Sequence, residues 1–273
     1  MIAKVSLFIC SIVCIALFLA SCTTSSQNEK TEEQINFSTG SSLLDKTIEA
    51  HGGIQQWRQF QTMTFTKSSE NNPQNEQHLV DLNKRNTLIL SSSFRMGYDG
   101  ENVWVTPGLD KSPSQNPRFY HNLWFYFASI PFVFTDDGVN ASDMEPVEIG
   151  GKPYNRIKVT FENEIGASPR DQYILYTHPK SHLLQMINYS VTFFDEAKGD
   201  QFNALVYNNF EEFQGLLLPT LLTGYTWSNQ NLGQKRYETY LSDYKFSNEA
   251  PLQSLFAVPF KERKLFVDSL KVN

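Results

Sequence analysis

Few residues of this chain have the types and spacing that chemistry requires, and the first candidates are two histidines. His178 and His182 lie four residues apart in THPKSH, a spacing that on a helix could hold zinc. Pro179 lies between them and favours a hairpin turn over a helix. No third ligand is evident nearby in the sequence, so we predict neither a metal site nor a cofactor.

Two adjacent carboxylates, Asp136 and Asp137 in FTDDG, are the candidates for acid–base catalysis. Adjacent residues on a turn usually point apart, and Asp-Gly is ordinary turn chemistry. The serines form no Gly-x-Ser-x-Gly motif of a nucleophile elbow. The glycines of GYDGENVW fit a hairpin and not a phosphate loop or a dinucleotide site. The sequence therefore predicts a protein that is not an enzyme and has no catalytic residues.

His51 is the remaining candidate, since it lies near the end of the first predicted helix, SSLLDKTIEAHGG. The apolar face of that helix follows the i, i+3, i+4, i+7 spacing and consists of Leu44, Thr47, Ile48 and His51. A histidine on this face can hydrogen-bond a nearby backbone group inside the core. Alternatively, it can present a polar group at the mouth of a cavity beside Trp57.

The N-terminus carries the most specific signal in the chain. Lys4 precedes an apolar run of secretion-signal length, VSLFICSIVCIALFLA, and the run closes on LASC with Cys22. This ending resembles the lipobox of bacterial lipoproteins, which implies cleavage before Cys22 and attachment of diacylglycerol to its sulfur. A plain transmembrane anchor is the alternative, because the run approaches spanning length. Cys10 and Cys14 would leave with the signal, so the mature chain would have no disulfide and no free thiol.

Three segments are predicted: a signal peptide over 1–21, a lipidated flexible tether over 22–40 and one domain over 41–273. Loss of Lys4 with the signal leaves 22 basic residues against 29 acidic ones, a net charge of −7. So acidic a chain lacks the basic footprint of a nucleic-acid-binding protein. It also lacks a strongly basic surface for anionic lipid head groups.

After a second short helix, or a turn, at Ile54–Phe60, strand patterns dominate the sequence. Alternating apolar and polar residues predict about nine or more strands, with hairpins at Asp99-Gly100 and at His178–Ser181. Pro219 predicts an edge or a bulge in its strand. The sequence has no alternating strand–helix pattern and no long internal repeat. The predicted fold class is mainly β: a single curved antiparallel sheet forming an incomplete half-barrel, with short helices covering its concave face.

The segment RFYHNLWFYFASIPFVF, from Arg118 to Phe134, concentrates eight aromatic rings in seventeen residues. Its apolar part, from Leu123 onward, is too short for a membrane-spanning helix, which needs roughly 20 residues, and Pro131 would end or kink a helix. The rings either fill a core beneath the sheet or line a cavity for an apolar ligand. In the second case the polar groups at one end would be Arg118, His121 and Asn122.

Three motifs in order, AHGG followed by Trp57, then YDGENVW, then LYTHP, resemble the LolA/LolB-like superfamily of outer-membrane lipoprotein carriers and receptors. The AHGG…W opening and the RFYHNLxFYF block resemble, more closely, an uncharacterised lipoprotein branch of that superfamily. The resemblance spans about Leu43 to Leu222. It implies a half-barrel with a hydrophobic cavity under a helical lid, in proteins that carry, receive or sense acylated molecules or other lipids. The lipid anchor would distinguish this chain from a free carrier.

These inferences predict a lipoprotein anchored in the outer membrane and facing the periplasm, which binds a hydrophobic or acylated ligand without covalent chemistry. Its expected partners are that ligand and, through the anchor, the membrane; nucleic acid is not expected, and no protein partner is predicted. The predicted ligand-binding residues are Trp57, Trp104, Phe119, Trp124, Phe127, Phe132, His51 and His121.

Two other functions remain open at this point. One is a structural or interaction lipoprotein of the envelope whose interior is fully packed. The other is an envelope hydrolase, which would need an acid, a base and a nucleophile together at the cavity mouth.

Overall fold

The computed structural model describes residues 38–70, 72–162 and 168–259. The predicted signal peptide, Cys22 and nearly all of the predicted tether lie outside the described residues, as does the end of the chain from residue 260. No helix in the described ranges has both the length and the apolar character needed to cross a membrane.

The first helix forms where the sequence predicts it. Helix α1 (Ser42–Ala50) is capped by Ser41, whose Oγ accepts a hydrogen bond from the Leu44 N–H at 3.1 Å. The predicted apolar face is buried. Gly52 then turns the chain toward helix α2 (Ile54–Arg58) with a φ of +112°, which glycine adopts without strain. A side chain at this position would also collide with the Gly215 carbonyl oxygen.

The rest of the described chain is mainly strand. The strands are β1 (Thr62–Ser69), β2 (Asn72–Asp81), β3 (Thr87–Leu90), β4 (Arg95–Tyr98), β5 (Val103–Thr106), β6 (Val139–Ile149), β7 (Lys152–Phe161), β8 (Tyr173–Thr177), β9 (Leu184–Tyr189), β10 (Asn203–Phe213), β11 (Leu216–Ser228) and β12 (Asn231–Ser247). Two further helices, α3 (Pro117–Tyr120) and α4 (Leu123–Ser129), lie between β5 and β6, and short 3₁₀ turns lie at Leu109–Lys111, Phe132–Thr135, Glu196–Lys198 and Gln253–Leu255.

All twelve strands belong to one antiparallel sheet, in the order β5-β4-β3-β2-β1-β12-β11-β10-β9-β8-β7-β6. Two meanders, β1 to β5 and β6 to β12, are joined where the first strand pairs with the last, from Thr62 with Ser247 to Ser69 with Thr239. The sheet does not close, because β5 and β6 remain its two edges. The predicted mainly β fold, an open curved half-barrel with a few short helices, is confirmed.

The aromatic segment connects the two edges of this sheet. Since β5 and β6 lie at opposite edges, the chain between them has to cross a whole face of the sheet. We call that face the inner face; helices α3 and α4 and the main hydrophobic core lie on it. The predicted break is confirmed, since α4 ends at Ser129, just before Pro131. A segment that crosses a sheet in this way must be apolar on most sides, which explains its composition.

The outer face of the sheet carries smaller apolar clusters. One of them consists of Leu88, Trp104 and Phe256. Leu88 pairs with Gly97, and Gly97 pairs with Trp104, so these three positions share one face. A side chain at Gly97 would collide with the Trp104 ring, and the Trp104 indole N–H donates to the Phe256 carbonyl at 2.7 Å. Through this hydrogen bond Trp104 holds the end of the described chain against the outer face of the sheet.

The sequence predicts an edge or a bulge at Pro219, but Pro219 does not lie in an edge strand. It lies in β11, between β10 and β12 in the interior of the sheet. It pairs with Phe210 of β10, whereas the pairing with β12 begins only at Leu221. The missing N–H of proline therefore removes no ladder hydrogen bond on the β12 side.

Candidate functional site

The rings of the aromatic segment border two cavities. Cavity 1 has a volume of about 370 Å³ and lies between the start of the segment and strands β1, β9 and β12. Its apolar wall consists of Phe119, Leu123, Trp124, Phe127, Tyr189, Val191 and Tyr237. Pockets of roughly 300–1,000 Å³ with apolar walls and a few polar groups are typical ligand sites.

The polar side of cavity 1 is formed mainly by the sheet. It includes Lys67, Ser69, Asn203, Arg236, Glu238 and Thr239. Lys67 is buried, and its ammonium lies 5.2 Å from the centre of the Trp124 ring, a distance that allows a cation–π interaction. The cavity thus has an aromatic side, to which the aromatic segment and strands β9 and β12 contribute, and a charged side, which comes from the strands.

Lys67 also belongs to a buried polar cluster next to the charged side of cavity 1. Lys67 donates to Glu76 Oε1 at 2.9 Å and to the Tyr120 hydroxyl at 3.1 Å. The Tyr120 hydroxyl in turn lies 2.8 Å from Glu76 Oε2. His78 Nε2 lies 3.3 Å from the same oxygen. Because Tyr120 belongs to α3, the cluster ties the start of the aromatic segment to strands β1 and β2.

The ionisation of this cluster follows from burial and its charges. Burial alone would raise the pKa of Glu76, but the His78 imidazole and the Lys67 ammonium hold that pKa below its usual range. Burial lowers the pKa of His78, although Glu76 acts in the opposite direction. Burial and the Glu76 charge raise the pKa of Tyr120. At neutral pH the cluster therefore holds an ion pair, a neutral imidazole and a protonated phenol.

This cluster was not predicted from the sequence, although the strand pattern contains a signal for it. Lys67 alternates in phase with the buried Met63 and Phe65 along β1. Glu76 and His78 are likewise both buried, two residues apart along β2. In the sheet Lys67 pairs directly with Glu76. Charged residues of opposite sign at core positions of neighbouring strands predict a buried pair.

Cavity 2 lies on another side of the segment and has a volume of about 580 Å³. Phe119 and Leu123 line both cavities. The charged residues lining cavity 2 are Lys84, Arg85, Arg118, Asp136, Asp137 and Asp171. Arg85 Nη2 lies 2.6 Å from each carboxylate oxygen of Asp136. Among the described lining residues of cavity 2, cations and carboxylates are therefore equal in number.

His121 lies at cavity 2 and is a neutral group. Its Nδ1 is 2.7 Å from the Arg118 carbonyl oxygen, and its ring centre is 4.5 Å from that of Tyr98. Burial lowers the pKa of His121 to about 4, against the effect of that carbonyl. It can offer a hydrogen bond to a ligand but carries no charge at neutral pH.

His51 lies at neither cavity. Its Nδ1 is 2.8 Å from the Leu217 carbonyl oxygen, and its Nε2 accepts the Leu184 N–H at 3.1 Å. The neutral tautomer with the proton on Nδ1 satisfies both bonds. Burial lowers the pKa of His51 to about 4, and the bond to Leu217 opposes this. The histidine joins α1 to β9 and β11, which is the core role that the sequence analysis allowed.

The structure brings together some of the eight predicted ligand-binding residues and separates others. Phe119, Trp124 and Phe127 meet at cavity 1, and Phe119 and His121 at cavity 2. Trp57 and Phe132 instead stack on each other inside the core, with ring centres 4.8 Å apart and planes 4° apart. Trp104 lies on the outer face.

The candidates for metal binding and catalysis occupy structural positions. His178 Nδ1 accepts the N–H groups of Lys180 and Ser181 within the hairpin turn. Asp136 binds Arg85. In the part of the chain that the structure describes, no group of three His, Cys, Asp or Glu residues is placed to hold a metal ion.

Residues 107–214 match a family of unknown function, DUF6503. The matched region runs from the residue after β5 to the residue after β10. It therefore includes most of the apolar wall of cavity 1, but neither Tyr237 of that wall nor Lys67 and Arg236 on the charged side. A search of curated proteins finds no match.

Solved structures with a similar course of the chain include three bacterial proteins. A LolA superfamily protein from Nitrosomonas europaea is 10% identical, with a TM-score of 0.43, over 81% of this chain and 99% of its own. A DUF1329 family protein from Desulfovibrio piger is 10% identical, with a TM-score of 0.48, over 86% and 100%. The Mycobacterium tuberculosis lipoprotein LppX is 14% identical, with a TM-score of 0.24, over 54% and 86%. The first belongs to the superfamily that the sequence resembles.

Proposed function

We propose that this protein is an envelope lipoprotein that binds an apolar or acylated ligand in cavity 1 without changing it covalently. The observation that carries the proposal is the meeting of Phe119, Trp124 and Phe127 at an open cavity on the inner face of the sheet. Rings in contact with a cavity offer apolar area at little cost in side-chain entropy, which suits an acyl chain.

The free energy available from such a site is sufficient for retention of a lipid. Each CH₂ group removed from water contributes about 0.8 kcal/mol. Burial of about ten such groups would contribute about 8 kcal/mol, which corresponds to micromolar binding. Ordering of the chain and of the side chains would reduce this figure.

The ionic contacts beside cavity 1 favour binding over catalysis. Lys67 is engaged with Glu76 at 2.9 Å, and Glu238 with Lys235 at 2.6 Å. Neither contact joins a base to a serine, threonine or cysteine nucleophile, which is the pairing that nucleophilic catalysis requires. We therefore propose a protein without enzymatic activity, as the sequence predicts.

The location belongs to the same proposal. Cys22 would carry the lipid, residues 22–40 would form the tether and the domain from residue 41 would face the periplasm from the outer membrane. The support for this part is the apolar run that ends on LASC at the N-terminus. A tether would allow the cavity to approach lipids or acylated partners near the membrane surface.

Native mass spectrometry with lipid extraction tests the binding proposal. A chain from Thr23 to Asn273 contains every described helix and strand, and we expect it to carry a stoichiometric lipid after purification. Leu123→Trp should fill cavity 1 and lower the lipid occupancy, because Leu123 is half-buried on its wall. Leu90→Trp is the matched control, since Leu90 is also half-buried but packs on the outer face.

Two results would contradict the proposal. One is a lipid-free mass together with no uptake of fatty acid or phospholipid probes, which would favour a structural lipoprotein with a packed interior. The other is equal loss of lipid in the Leu123 and Leu90 variants, which would place the ligand elsewhere.

A further inference from the structure

We infer that cavity 1 selects acyl chains that end in an anionic head, a carboxylate or a phosphate, and that Arg236 is the residue that selects them. The inference rests on the proposed function and names the ligand class of the same cavity. Three observations carry it: the charge balance of the cavity, the bulge that directs Arg236 and the contrast with cavity 2.

Among the described charged residues that line cavity 1, Arg236 is the cation without a salt bridge, although Glu70 also acts on the nearby Lys235 and Glu238. The charged lining residues of the cavity are Lys67, Arg236 and Glu238. Lys67 is neutralised by Glu76, and Glu238 by Lys235. Arg236 Nη1 donates to the neutral amide oxygen of Asn203 at 2.7 Å, and within residues 38–70, 72–162 and 168–259 no ion pair of Arg236 is seen. A guanidinium has five N–H donors, so most of them remain for a ligand.

A β-bulge directs Arg236 toward the cavity. Tyr237 pairs with Gly224, and Lys235 pairs with Tyr225, so β12 has one more residue here than β11. Arg236 is that additional residue. Bulges alter the direction of side chains and occur often beside functional sites, and Arg236 lines cavity 1 together with the three residues that follow it in β12.

The neighbouring residues fit this arrangement. A side chain at Gly224 would collide with the Tyr237 ring, so glycine allows that ring to lie across β11. The Tyr237 hydroxyl then comes within 3.3 Å of the Tyr189 hydroxyl. Burial raises the pKa of Tyr237, and the Tyr189 hydroxyl and the Arg236 charge oppose this. Arg236, Tyr189 and Tyr237 all line cavity 1. An anionic head at this point could accept hydrogen bonds from both a phenol and the guanidinium.

Cavity 2 differs from cavity 1 in the balance of its charges. Its described lining contains Lys84, Arg85, Arg118 and an equal number of aspartates, and Arg85 is already held by Asp136. A balanced set of charges gives no preference for an anion. The two cavities share Phe119 and Leu123 and differ in the rest of their apolar lining and in their charge.

Photo-crosslinking of the full-length chain in membranes of cells that express it tests the inference. The probes are long-chain diazirines with an alkyne tag that differ only in the head: a carboxylate, a phosphate monoester or a neutral primary amide. Labelling is done at mildly alkaline pH, so that the carboxylate is ionised, and the modified peptides are located by mass spectrometry. We expect the anionic probes to label Tyr189 or Tyr237, which line cavity 1 and not cavity 2, about threefold more than the amide does, since Arg236 is exposed to solvent screening.

The variants identify the responsible residue. Arg236→Gln should bring the ratio of acid to amide labelling to about one, and Arg236→Lys should retain much of the preference. Arg170→Gln is the matched control, because it removes the same charge from an exposed arginine that lines neither cavity. The larger of the carboxylate and phosphate signals identifies the head.

Each result has one meaning. Equal labelling of the wild-type cavity by acid and amide overturns the selection but leaves the proposed lipid binding intact. A preference that survives in Arg236→Gln overturns the role of Arg236. Labelling of cavity 1 by none of the probes overturns the proposed function, and the inference with it.

Discussion

The two ends of the aromatic segment have the same kind of composition but different surroundings. At the C-terminal end Ile130, Phe132 and Val133 are fully buried, and Phe132 stacks on Trp57. At the N-terminal end Phe119 and Leu123 are only half-buried and border two cavities. The sequence is compatible with a packed core or with a cavity for an apolar ligand. The packed core describes the C-terminal end, whereas the N-terminal end borders cavities, in one of which we propose a ligand.

The two ends of the aromatic segment differ in the side chains that face them. The C-terminal end packs against other apolar side chains, including Trp57, whereas the N-terminal end faces Lys67 and Arg236. Charged side chains do not pack tightly against rings on all sides, since they need hydrogen-bond partners. The number of aromatic residues in a segment therefore does not decide whether it forms a core or a cavity. The residues opposite the segment decide it.

The largest effect is expected at the packed end. Phe132→Ala should lower the free energy of unfolding by about 4 kcal/mol, because it leaves a cavity against Trp57, while the lipid occupancy of the folded fraction stays unchanged. Urea denaturation followed by Trp fluorescence measures the first quantity, and native mass spectrometry the second. Phe194→Ala is the control, since the Phe194 side chain is 61% exposed and its loss should have little effect on stability. Similar losses in both variants would contradict the view that this end is packed.

The second prediction concerns the cluster that holds the open end to the sheet. Glu76→Gln should lower the free energy of unfolding by about 3 kcal/mol, because the Lys67 charge is left buried without its partner. In the wild type the lowered pKa of Glu76 means that this contribution is present above the pKa of an unfolded Glu, about 4.5, and is lost as the pH falls below it. Urea titrations at several pH values measure both effects. A variant as stable as the wild type at neutral pH would show that the cluster does not stabilise the fold.

The third prediction uses the pH dependence of stability to distinguish the contribution of His51 from that of the cluster around Glu76. The pKa of His51 falls from 6.5 in the unfolded chain to about 4 in the fold, so its contribution is present above pH 6.5 and is lost as the pH falls toward 4. Protonation would place a second N–H against that of Leu184. His51→Leu should lower stability at pH 7 by about 2 kcal/mol, since two backbone groups lose their partner.

The slope of stability against pH checks the His51 prediction. The variant should be less sensitive than the wild type between pH 6.5 and about 4, but should keep the loss below about 4.5 that Glu76 causes. An unchanged slope between pH 6.5 and about 4 would show that other groups, such as His121 with its own pKa of about 4, dominate that window.

The smallest effect on stability is expected at the open end. Phe119→Ala should lower the free energy of unfolding by about 1 kcal/mol, because its ring is half-buried and contacts Phe193 and Phe194. Lipid occupancy should nevertheless fall, since Phe119 lines both cavities. Together with Phe132→Ala, the variant separates stability from binding. A large loss of stability without loss of lipid would show that Phe119 packs in the core and does not bind the ligand.

Elements with a clear period could be predicted from the sequence. Helix α1 and the hairpins at Asp99-Gly100 and His178–Ser181 form where the patterns place them. Strand β6 was not predicted, because it lies at an edge and its residues are half-buried or exposed throughout. Without an apolar face, a strand has no alternation to detect.

The candidate site was harder to predict, because it depends on pairing between distant residues. Alternation shows that Trp104 points away from Val103 and Val105, but not which face of the sheet is the inner one. Trp104 was therefore expected in the cavity and lies on the outer face. Arg236 reaches cavity 1 through a bulge, and a bulge depends on the register of two strands. No local pattern specifies that register.

The pairing of β1 with β12 has a consequence for the order in which the protein folds. These strands are the first and last of the sheet along the chain, so the contact between the two meanders has a very high sequence separation. Hairpins within each meander can form on the microsecond scale, whereas pairing of distant strands is slow. Until β12 has been synthesised, β1 and β11 are additional free edges, and such edges pair readily with other chains. Counted over the described strands, a chain without β12 therefore has four sheet edges to protect from aggregation, and the chain with β12 has two.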